Sequence, residues 1–137
     1  MDFLKVNNQV CISSDKKEIL LGNNQVTVDG MVIDFPGEYE KSGILVQARE
    51  ENEKLYFTLQ IEGKIIAYVG HAEGEIHDEL LNFFAKTSIL VTLADKANTK
   101  LLEVLEPYVI IPYGEGKDVF LNALGQSTLE PTDRHKL

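Results

Sequence analysis

Apolar residues alternate with polar ones through the first half of the chain, and this period of two limits the available folds more than any other feature. Val10 and Ile12, for example, lie two residues apart, as in a strand that buries one face. Asp29-Gly30 lies between two such runs and predicts a tight hairpin, because both central residues of a type I′ turn need positive φ. We therefore predict that residues 1–69 are mainly antiparallel β-sheet.

Turn signals and short apolar runs together predict where strands lie. Glu62-Gly63 is a second two-residue hairpin signal of this kind. The predicted strands are Gln25–Val28, Met31–Asp34, Ile44–Arg49, Leu55–Ile61, Lys64–Val69, Ile89–Leu93 and Tyr108–Pro112.

Beyond residue 70 the apolar spacing changes to that of amphipathic helices. The helices predicted there are Ile76–Ala85, Asn98–Glu106 and Lys117–Leu124. Strands that alternate with helices form βαβ units with right-handed crossovers, so residues 70–137 are predicted to alternate between the two. The length of 137 residues fits one domain, since a domain has roughly 150 residues. We predict a single α/β domain over residues 1–137.

The acidic composition excludes some partners. The formal net charge is −9, whereas a protein that binds duplex nucleic acid presents a basic face to the phosphates. No apolar run approaches the ~20 residues of a membrane helix, and the start of the chain lacks the apolar stretch of a signal peptide. Cys11 is the single cysteine, which excludes an internal disulfide and a cysteine-based zinc site. We expect a cytoplasmic protein with no nucleic-acid or membrane partner.

One five-residue run carries a resemblance to a known family. Pro36-Gly37-Glu38-Tyr39-Glu40 resembles the Pro-Gly-Glu-Tyr-Glu stretch of metallo-β-lactamase-fold proteins in the ascorbate-phosphate lactonase-like branch. Further resemblances follow in the family's order at Leu55–Gly63, Ile65–Gly70, Ile89–Leu93, Leu105–Pro112 and Phe120–Leu137. The resemblance implies two packed β-sheets with helices outside them. For this chain it implies an α/β fold, a truncated β-sandwich with helices packed mainly from the C-terminal half.

The chain departs from that family at the metal site. The family's His-x-His-x-Asp-His motif is missing, and the three histidines are His71, His77 and His135. By the resemblance, His71 stands where the family has a bridging aspartate, and Gly114 stands where it has its final histidine ligand. A catalytic zinc needs about three protein ligands and an open position for the water whose pKa it lowers. We therefore expect no zinc and no hydrolase activity, and we predict a degenerate domain that acts in binding or self-assembly.

Polar residues at three predicted strand ends leave two alternatives open. His71, Asp95 and Glu115 each follow such an end, where wound α/β sheets bind their ligands. One histidine and two carboxylates can hold a divalent metal, so the chain could be a hydrolase with a rebuilt metal site. The same ends could instead bind a small molecule without a metal. The simplest interpretation is that all three are solvated loop residues.

The Pro36–Glu40 run has a structural and a chemical interpretation. Glu38 and Glu40 could act as paired acids in general acid–base catalysis. Adjacent residues of an extended chain point in opposite directions, however, which opposes the pairing of neighbours. We favour a turn at Pro36-Gly37 with the ring of Tyr39 packed inward.

The N-terminal half carries many apolar residues and no predicted helix. One face of its strands can pack on the second sheet, while the other must face water or a partner. Unpaired strand edges favour association, and a two-fold dimer needs only one self-complementary patch. We predict a homo-oligomer formed through the N-terminal β half, around Val10–Ile33. The alternative is a monomer with a polar outer face, because this half is rich in asparagine and glutamine.

Overall fold

The computed structural model describes residues 1–6, 8–70, 78–94, 105, 107–114 and 134–136. In these residues the chain forms twelve strands and one short helix. The elements are β1 (Asp2–Val6), β2 (Gln9–Ser14), β3 (Lys17–Gly22), β4 (Gln25–Val28), β5 (Met31–Ile33), β6 (Gly37–Lys41), β7 (Ile44–Glu51), β8 (Lys54–Ile61), β9 (Lys64–Val69), α1 (Asp78–Phe83), β10 (Ile89–Leu93), β11 (Val109–Tyr113) and β12 (Arg134–Lys136).

These strands form two six-stranded sheets that pack face to face. Sheet A has the order β12-β1-β2-β3-β4-β5 and is antiparallel throughout. Sheet B has the order β11-β10-β9-β8-β7-β6, antiparallel from β6 to β9 and parallel from β9 to β11. Sheet A therefore joins the first five strands to the last described strand of the chain.

Two tight hairpins form at the positions that the sequence predicts, and for a local reason. Asp29 and Gly30 have φ values of 44° and 86°, and Glu62 and Gly63 have values of 51° and 75°. Positive φ at both central residues is the geometry of a type I′ turn, whose twist matches that of the paired strands. Each turn fixes the register of its hairpin, and with it the face of each strand that enters the core.

The main core lies between the two sheets. Strands β2 and β4 bury every second residue, and the buried side chains of sheet A pack against those of sheet B. The large, fully buried members include Phe3, Ile12, Phe57, Leu59 and Tyr68. Burial of one such side chain stabilises the fold by ~1.5–3 kcal/mol, so the period-two pattern decides which faces meet.

A smaller core covers part of the outer face of sheet B. Leu80 of α1 and Phe84 just after it belong to this cluster, and the Phe84 ring meets the Tyr56 ring edge-on with centroids 5.9 Å apart. Arg49 of β7 forms a 2.8 Å ion pair with Glu79 of α1. This packing holds α1 on the sheet. No helix in the described ranges is both long and apolar enough to span a membrane.

The α/β prediction is wrong, whereas the predicted β-sandwich fits the structure. Most of the described residues lie in strands, and the helix among them has six residues. The reason is topological: short turns join the first nine strands, and among the described strands only β9, β10 and β11 are parallel and need crossovers. The predicted helix Ile76–Ala85 is observed as Asp78–Phe83. The predicted helices Asn98–Glu106 and Lys117–Leu124 lie outside the described residues, apart from Leu105, which is helical.

Candidate functional site

Three neighbouring strands of sheet B end at one edge of the sandwich. Strands β9, β10 and β11 run side by side in the same direction and are followed by Gly70, Ala94 and Gly114. The Ala94 backbone N–H donates a 2.7 Å hydrogen bond to the Tyr113 carbonyl oxygen, which holds two of these ends together. Ligands of open α/β sheets bind beyond the carboxyl ends of parallel strands, so this edge is the candidate site.

Turns of sheet A reach the same end of the sandwich. Asn8 precedes β2, and Asn23 and Asn24 form the turn between β3 and β4. The φ values of that turn are 54° and 58°, a conformation that asparagine adopts more readily than most residues. Lys54, the first residue of β8, completes this end from sheet B.

A cleft of about 470 Å³ lies between these elements. Its described lining consists of Asn8, Asn23, Asn24, Lys54, Gly70, Leu93 and Tyr113. The volume lies within the ~300–1,000 Å³ range of small-molecule sites. Three amides, one ammonium group and one phenol make this lining rich in hydrogen-bond donors and give it one positive charge.

Tyr113, which lines the cleft, forms a hydrogen-bonded pair with the buried Tyr68. The Tyr113 hydroxyl donates a 3.1 Å hydrogen bond to the Tyr68 hydroxyl oxygen, and the Asn24 backbone N–H donates to the same oxygen. Burial raises the pKa of both phenols, and for Tyr68 it outweighs the two hydrogen bonds that the oxygen accepts. Both side chains are therefore protonated at neutral pH, and the phenol that lines the cleft, that of Tyr113, is uncharged.

Glycines at two strand ends shape the cleft in different ways. A Cβ at Gly70 would lie 3.5 Å from both Asn24 Oδ1 and Tyr68 OH, so this glycine keeps the cleft open without being required sterically. A Cβ at Gly114 would lie 2.9 Å from Leu93 Cδ1, and the φ of +96° there strongly favours glycine. The family resemblance puts a histidine ligand at the position of Gly114, where the positive φ would strain any other residue and the Leu93 side chain would have to shift to admit a Cβ.

The candidate metal ligands His71, Asp95 and Glu115 lie outside the described residues, so that ligand set stays a prediction. The described lining of the cleft does not fit the zinc that the resemblance implies. Zinc binds imidazole, thiolate and carboxylate groups, whereas this lining offers amides, a neutral phenol and an ammonium group that repels a cation. No group of three or more potential metal ligands occurs within the described ranges.

The Pro36–Glu40 motif begins just before the edge strand β6 and does not line the cleft. Tyr39 is partly buried against the main core, and its hydroxyl donates a 2.8 Å hydrogen bond to the Phe35 carbonyl oxygen. Glu38 accepts a 3.3 Å hydrogen bond from a glutamine side chain of β7. Glu40 accepts a 3.0 Å hydrogen bond from a backbone N–H of the turn that follows β6. Each carboxylate thus has its own structural partner.

Sequence reasoning missed the amides and the lysine that line the cleft. The sequence identifies Asn8, Asn23 and Asn24 only as part of an amide-rich half. The Asn-Asn pair between two apolar strands is a local signal for a type I′ turn and could have been recognised as one. That this turn meets the strand ends of sheet B is a long-range property of the sandwich, which no local pattern reveals.

Comparison with known proteins finds similarity in structure. No protein-family model matches the chain. No curated protein matches it in a sequence search. A crystal structure from Thermotoga maritima, described as a "putative Zn-dependent hydrolase of the metallo-beta-lactamase superfamily", matches with a TM-score of 0.71 over 100% of this chain and 92% of that one. The fold is that of the metallo-β-lactamase superfamily. The sequence identity is 14%, so the likeness concerns the fold alone.

Within this metallo-β-lactamase fold, the position of the cleft can be compared with the family's metal-ligand positions. It lies at the strand ends to which the sequence resemblance assigns two metal-ligand positions, those of His71 and Gly114. The described groups at those ends are hydrogen-bonding and mostly uncharged. The fold is therefore shared with a structure described as a putative hydrolase, while the described lining of this cleft differs from a zinc site.

Proposed function

We propose that this chain is a non-catalytic binding domain that holds a small polar molecule in the strand-end cleft. The observation that carries the proposal is the described lining, in which three amides and one ammonium group stand beside the neutral phenol of Tyr113, itself hydrogen-bonded to the buried Tyr68. The likeness to a hydrolase does not bring hydrolysis with it, because one fold hosts many functions.

We further infer that the domain is a degenerate member of the ascorbate-phosphate lactonase-like branch. The Pro36–Glu40 run and the resemblances that follow it support this branch. The missing His-x-His-x-Asp-His motif supports the loss of its zinc site. The backbone at Gly114 adds independent support, because positive φ and the nearby Leu93 side chain would strain a histidine there.

The groups of the cleft fit a molecule with several hydrogen-bonding groups and at most one negative charge. Each asparagine side chain offers two N–H donors and one carbonyl acceptor, which matches hydroxyl groups that both donate and accept. Lys54 offers three donors and the one positive charge of the described lining. A molecule with several negative charges would face a chain of net charge −9 with little local compensation.

Three probes that share one three-carbon skeleton test this selectivity. Glycerate, glycerol and 3-amino-1,2-propanediol are negative, neutral and positive at neutral pH. In NMR titrations we expect the signals of the asparagine side chains and of the Gly70 backbone amide to shift most with glycerate, less with glycerol and least with the amine. A cleft that responds equally to the three probes, or to none of them, would contradict the proposed ligand class.

Matched variants test whether the cleft itself binds the probe. Asn24→Gly removes one amide but keeps the positive φ of the turn, so the fold should persist while glycerate binding weakens by about tenfold, the effect of ~1.4 kcal/mol. Lys54→Met should abolish the preference for glycerate over glycerol. Lys64→Met, at the opposite end of the sandwich, is the control and should change neither. Binding that is identical in Asn24→Gly and the natural chain would place the site elsewhere.

The rival proposal is a metal-dependent hydrolase with ligands at His71, Asp95 and Glu115. Elemental analysis of the purified protein separates the two proposals. Zinc, manganese or iron in a one-to-one ratio with the chain, and its loss in His71→Ala, would support the rival. Binding of glycerate by metal-free protein, unchanged in His71→Ala, would support the cleft without a metal.

A further inference from the structure

We propose that the outer face of sheet A is a two-fold interface with a second copy of this chain. One apolar row crosses this face from strand to strand, and each member lies directly opposite the next in the strand register. The row consists of Leu4, Cys11, Leu20, Thr27 and Val32. Its two ends, Leu4 and Val32, are 43% and 51% exposed, and the three residues between them are half-buried.

Polar residues flank the apolar row differently on its two sides. Ser13 and Glu18 lie opposite each other on one side, and the pKa of the neighbouring Cys11 thiol is raised by burial and, to a smaller extent, by the Glu18 carboxylate. Gln9 and Gln25, the first residues of β2 and β4, lie on the other side of the row. The face therefore has a side that carries a carboxylate and a side that carries amides.

This asymmetry selects one of two possible two-fold arrangements. When two faces stack, the axis lies in the plane between them and runs either along the strands or along the apolar row. An axis along the middle strand β3 would place Glu18 against Glu18 of the second copy, and opposed like charges are unfavourable. An axis along the row places Glu18 over the side that carries Gln9 and Gln25, whose amides donate hydrogen bonds to carboxylates. The geometry points to the axis along the row.

An axis along the row makes a specific prediction about Cys11. Every residue of the row then faces the same residue of the second copy, so the two Cys11 residues lie opposite each other. Stacked sheets are ~10 Å apart, which is beyond the ~4.4–6.8 Å between the Cα atoms of a disulfide but within reach of a short bis-maleimide. Under the alternative axis, Cys11 would face Thr27 of the second copy and the two thiols would lie farther apart.

The size of the face predicts a weak dimer. The five strands that carry the row, at ~4.8 Å spacing and ~3.3 Å per residue along each strand, give a contact area of roughly 20 by 17 Å. Two such faces bury less than the ~1,200 Å² at which stable interfaces begin. Each copy also carries a net charge of −9, so added salt should favour association by screening the repulsion.

Light scattering after gel filtration, over a wide range of protein concentrations, tests the proposal. We expect a mass that rises from 15.4 kDa toward twice that value as the concentration and the salt increase. Leu20→Lys places a charge at the centre of the row and should keep the chain monomeric. Val32→Lys should do the same, and because Val32 is 51% exposed this change should not disturb folding. Leu45→Lys, at an exposed position on the outer face of sheet B, is the control and should dimerise.

Cross-linking then tests the arrangement. A short bis-maleimide, applied at mildly alkaline pH because burial and Glu18 raise the pKa of Cys11, should join two natural chains but not two Leu20→Lys chains. A mass of 15.4 kDa at every concentration would overturn the proposal. Dimerisation of Leu20→Lys and Val32→Lys as strong as that of the natural chain would also overturn it. A doubled mass without cross-linking would overturn the axis along the row. None of these results bears on the cleft.

Discussion

The Ser42 hydroxyl donates a 2.6 Å hydrogen bond to Asp29 Oδ2, and this contact joins a turn of sheet B to a turn of sheet A. The other carboxylate oxygen of Asp29 accepts a 3.0 Å hydrogen bond from the Glu18 backbone N–H. Both hydrogen bonds lower the pKa of Asp29, and the backbone bond contributes more. The carboxylate thus links the two sheets at the end of the sandwich opposite the cleft.

This carboxylate makes stability depend on pH in a predictable direction. Its folded pKa lies below the ordinary value of 3.8, so its contribution is complete above that value and is lost as the pH falls through the folded pKa. Asp29→Gly removes the carboxylate and keeps the positive φ of the turn. In urea unfolding, we expect the natural chain to exceed the variant in stability by more at neutral pH than at about pH 3. A difference that is the same at both pH values would contradict this role.

Three glycines, two at the cleft and one at the opposite end of the sandwich, give a graded test of backbone strain. Gly70→Ala meets only ordinary contacts at 3.5 Å or more and should change the free energy of unfolding by less than ~0.5 kcal/mol. Gly63→Ala, in a hairpin turn with open space around it, should cost ~1 kcal/mol through its positive φ alone. Gly114→Ala adds the 2.9 Å approach to Leu93 and should cost ~2 kcal/mol or more. Equal costs for Gly63→Ala and Gly114→Ala would show that the Leu93 contact relaxes freely.

Tyr39 tests the structural interpretation of the Pro36–Glu40 motif. Its ring is partly buried, so Tyr39→Ala should cost ~2 kcal/mol in urea unfolding, near the lower end for a large aromatic side chain. Tyr39→Phe removes only the hydroxyl, which donates to the Phe35 carbonyl oxygen at 2.8 Å and to that of Pro36 at 3.4 Å, and should cost ~1 kcal/mol or less. If Tyr39→Ala cost no more than Tyr39→Phe, the ring would have no packing role and the motif would need another explanation.

The parts of the fold that the sequence predicts are those that depend on neighbours in the chain. Asp29-Gly30 and Glu62-Gly63 form tight turns because the need for positive φ is local. The pairing of β12 with β1 joins opposite ends of the chain, and no local pattern indicates it. The α/β prediction is wrong because an apolar spacing of three or four residues indicates a helix but not how many strands pair in parallel. In the described residues, parallel pairing is limited to β9, β10 and β11.

The candidate site likewise has one part that the sequence predicts and one part that it does not. The strand ends of sheet B could be located from the apolar runs before them, and the cleft does lie there. Sheet A contributes Asn8 and the Asn23-Asn24 turn to the lining. These groups reach the cleft only because the two sheets stack. A sequence of alternating residues fixes which face of a strand is buried but not which turn of one sheet meets which end of the other.

The Tyr68–Tyr113 pair should show coupling in unfolding experiments. Tyr113→Phe removes one donor and leaves the Tyr68 oxygen bonded to the Asn24 N–H, so it should cost ~1 kcal/mol. Tyr68→Phe removes the acceptor shared by the buried Tyr113 hydroxyl and the Asn24 backbone N–H and should cost ~2–3 kcal/mol. The double variant should cost less than the sum of the two, because the groups belong to one network. Additive costs would mean that the 3.1 Å hydrogen bond contributes nothing to stability.

The same pair should govern the stability of the chain at alkaline pH. Burial raises the pKa of both phenols above the ordinary value of 10.0, so they remain protonated in the folded chain at a pH at which they ionise in the unfolded chain. Their contribution is therefore complete below that value and is lost as the pH rises above it toward the folded pKa. Between about pH 9 and about pH 11, the natural chain should lose more unfolding free energy than the double variant Tyr68→Phe/Tyr113→Phe, in which neither phenol can ionise. The other three tyrosines are common to both chains and cancel in the comparison. An equal loss in the two chains would show that the buried phenols do not link folding to pH.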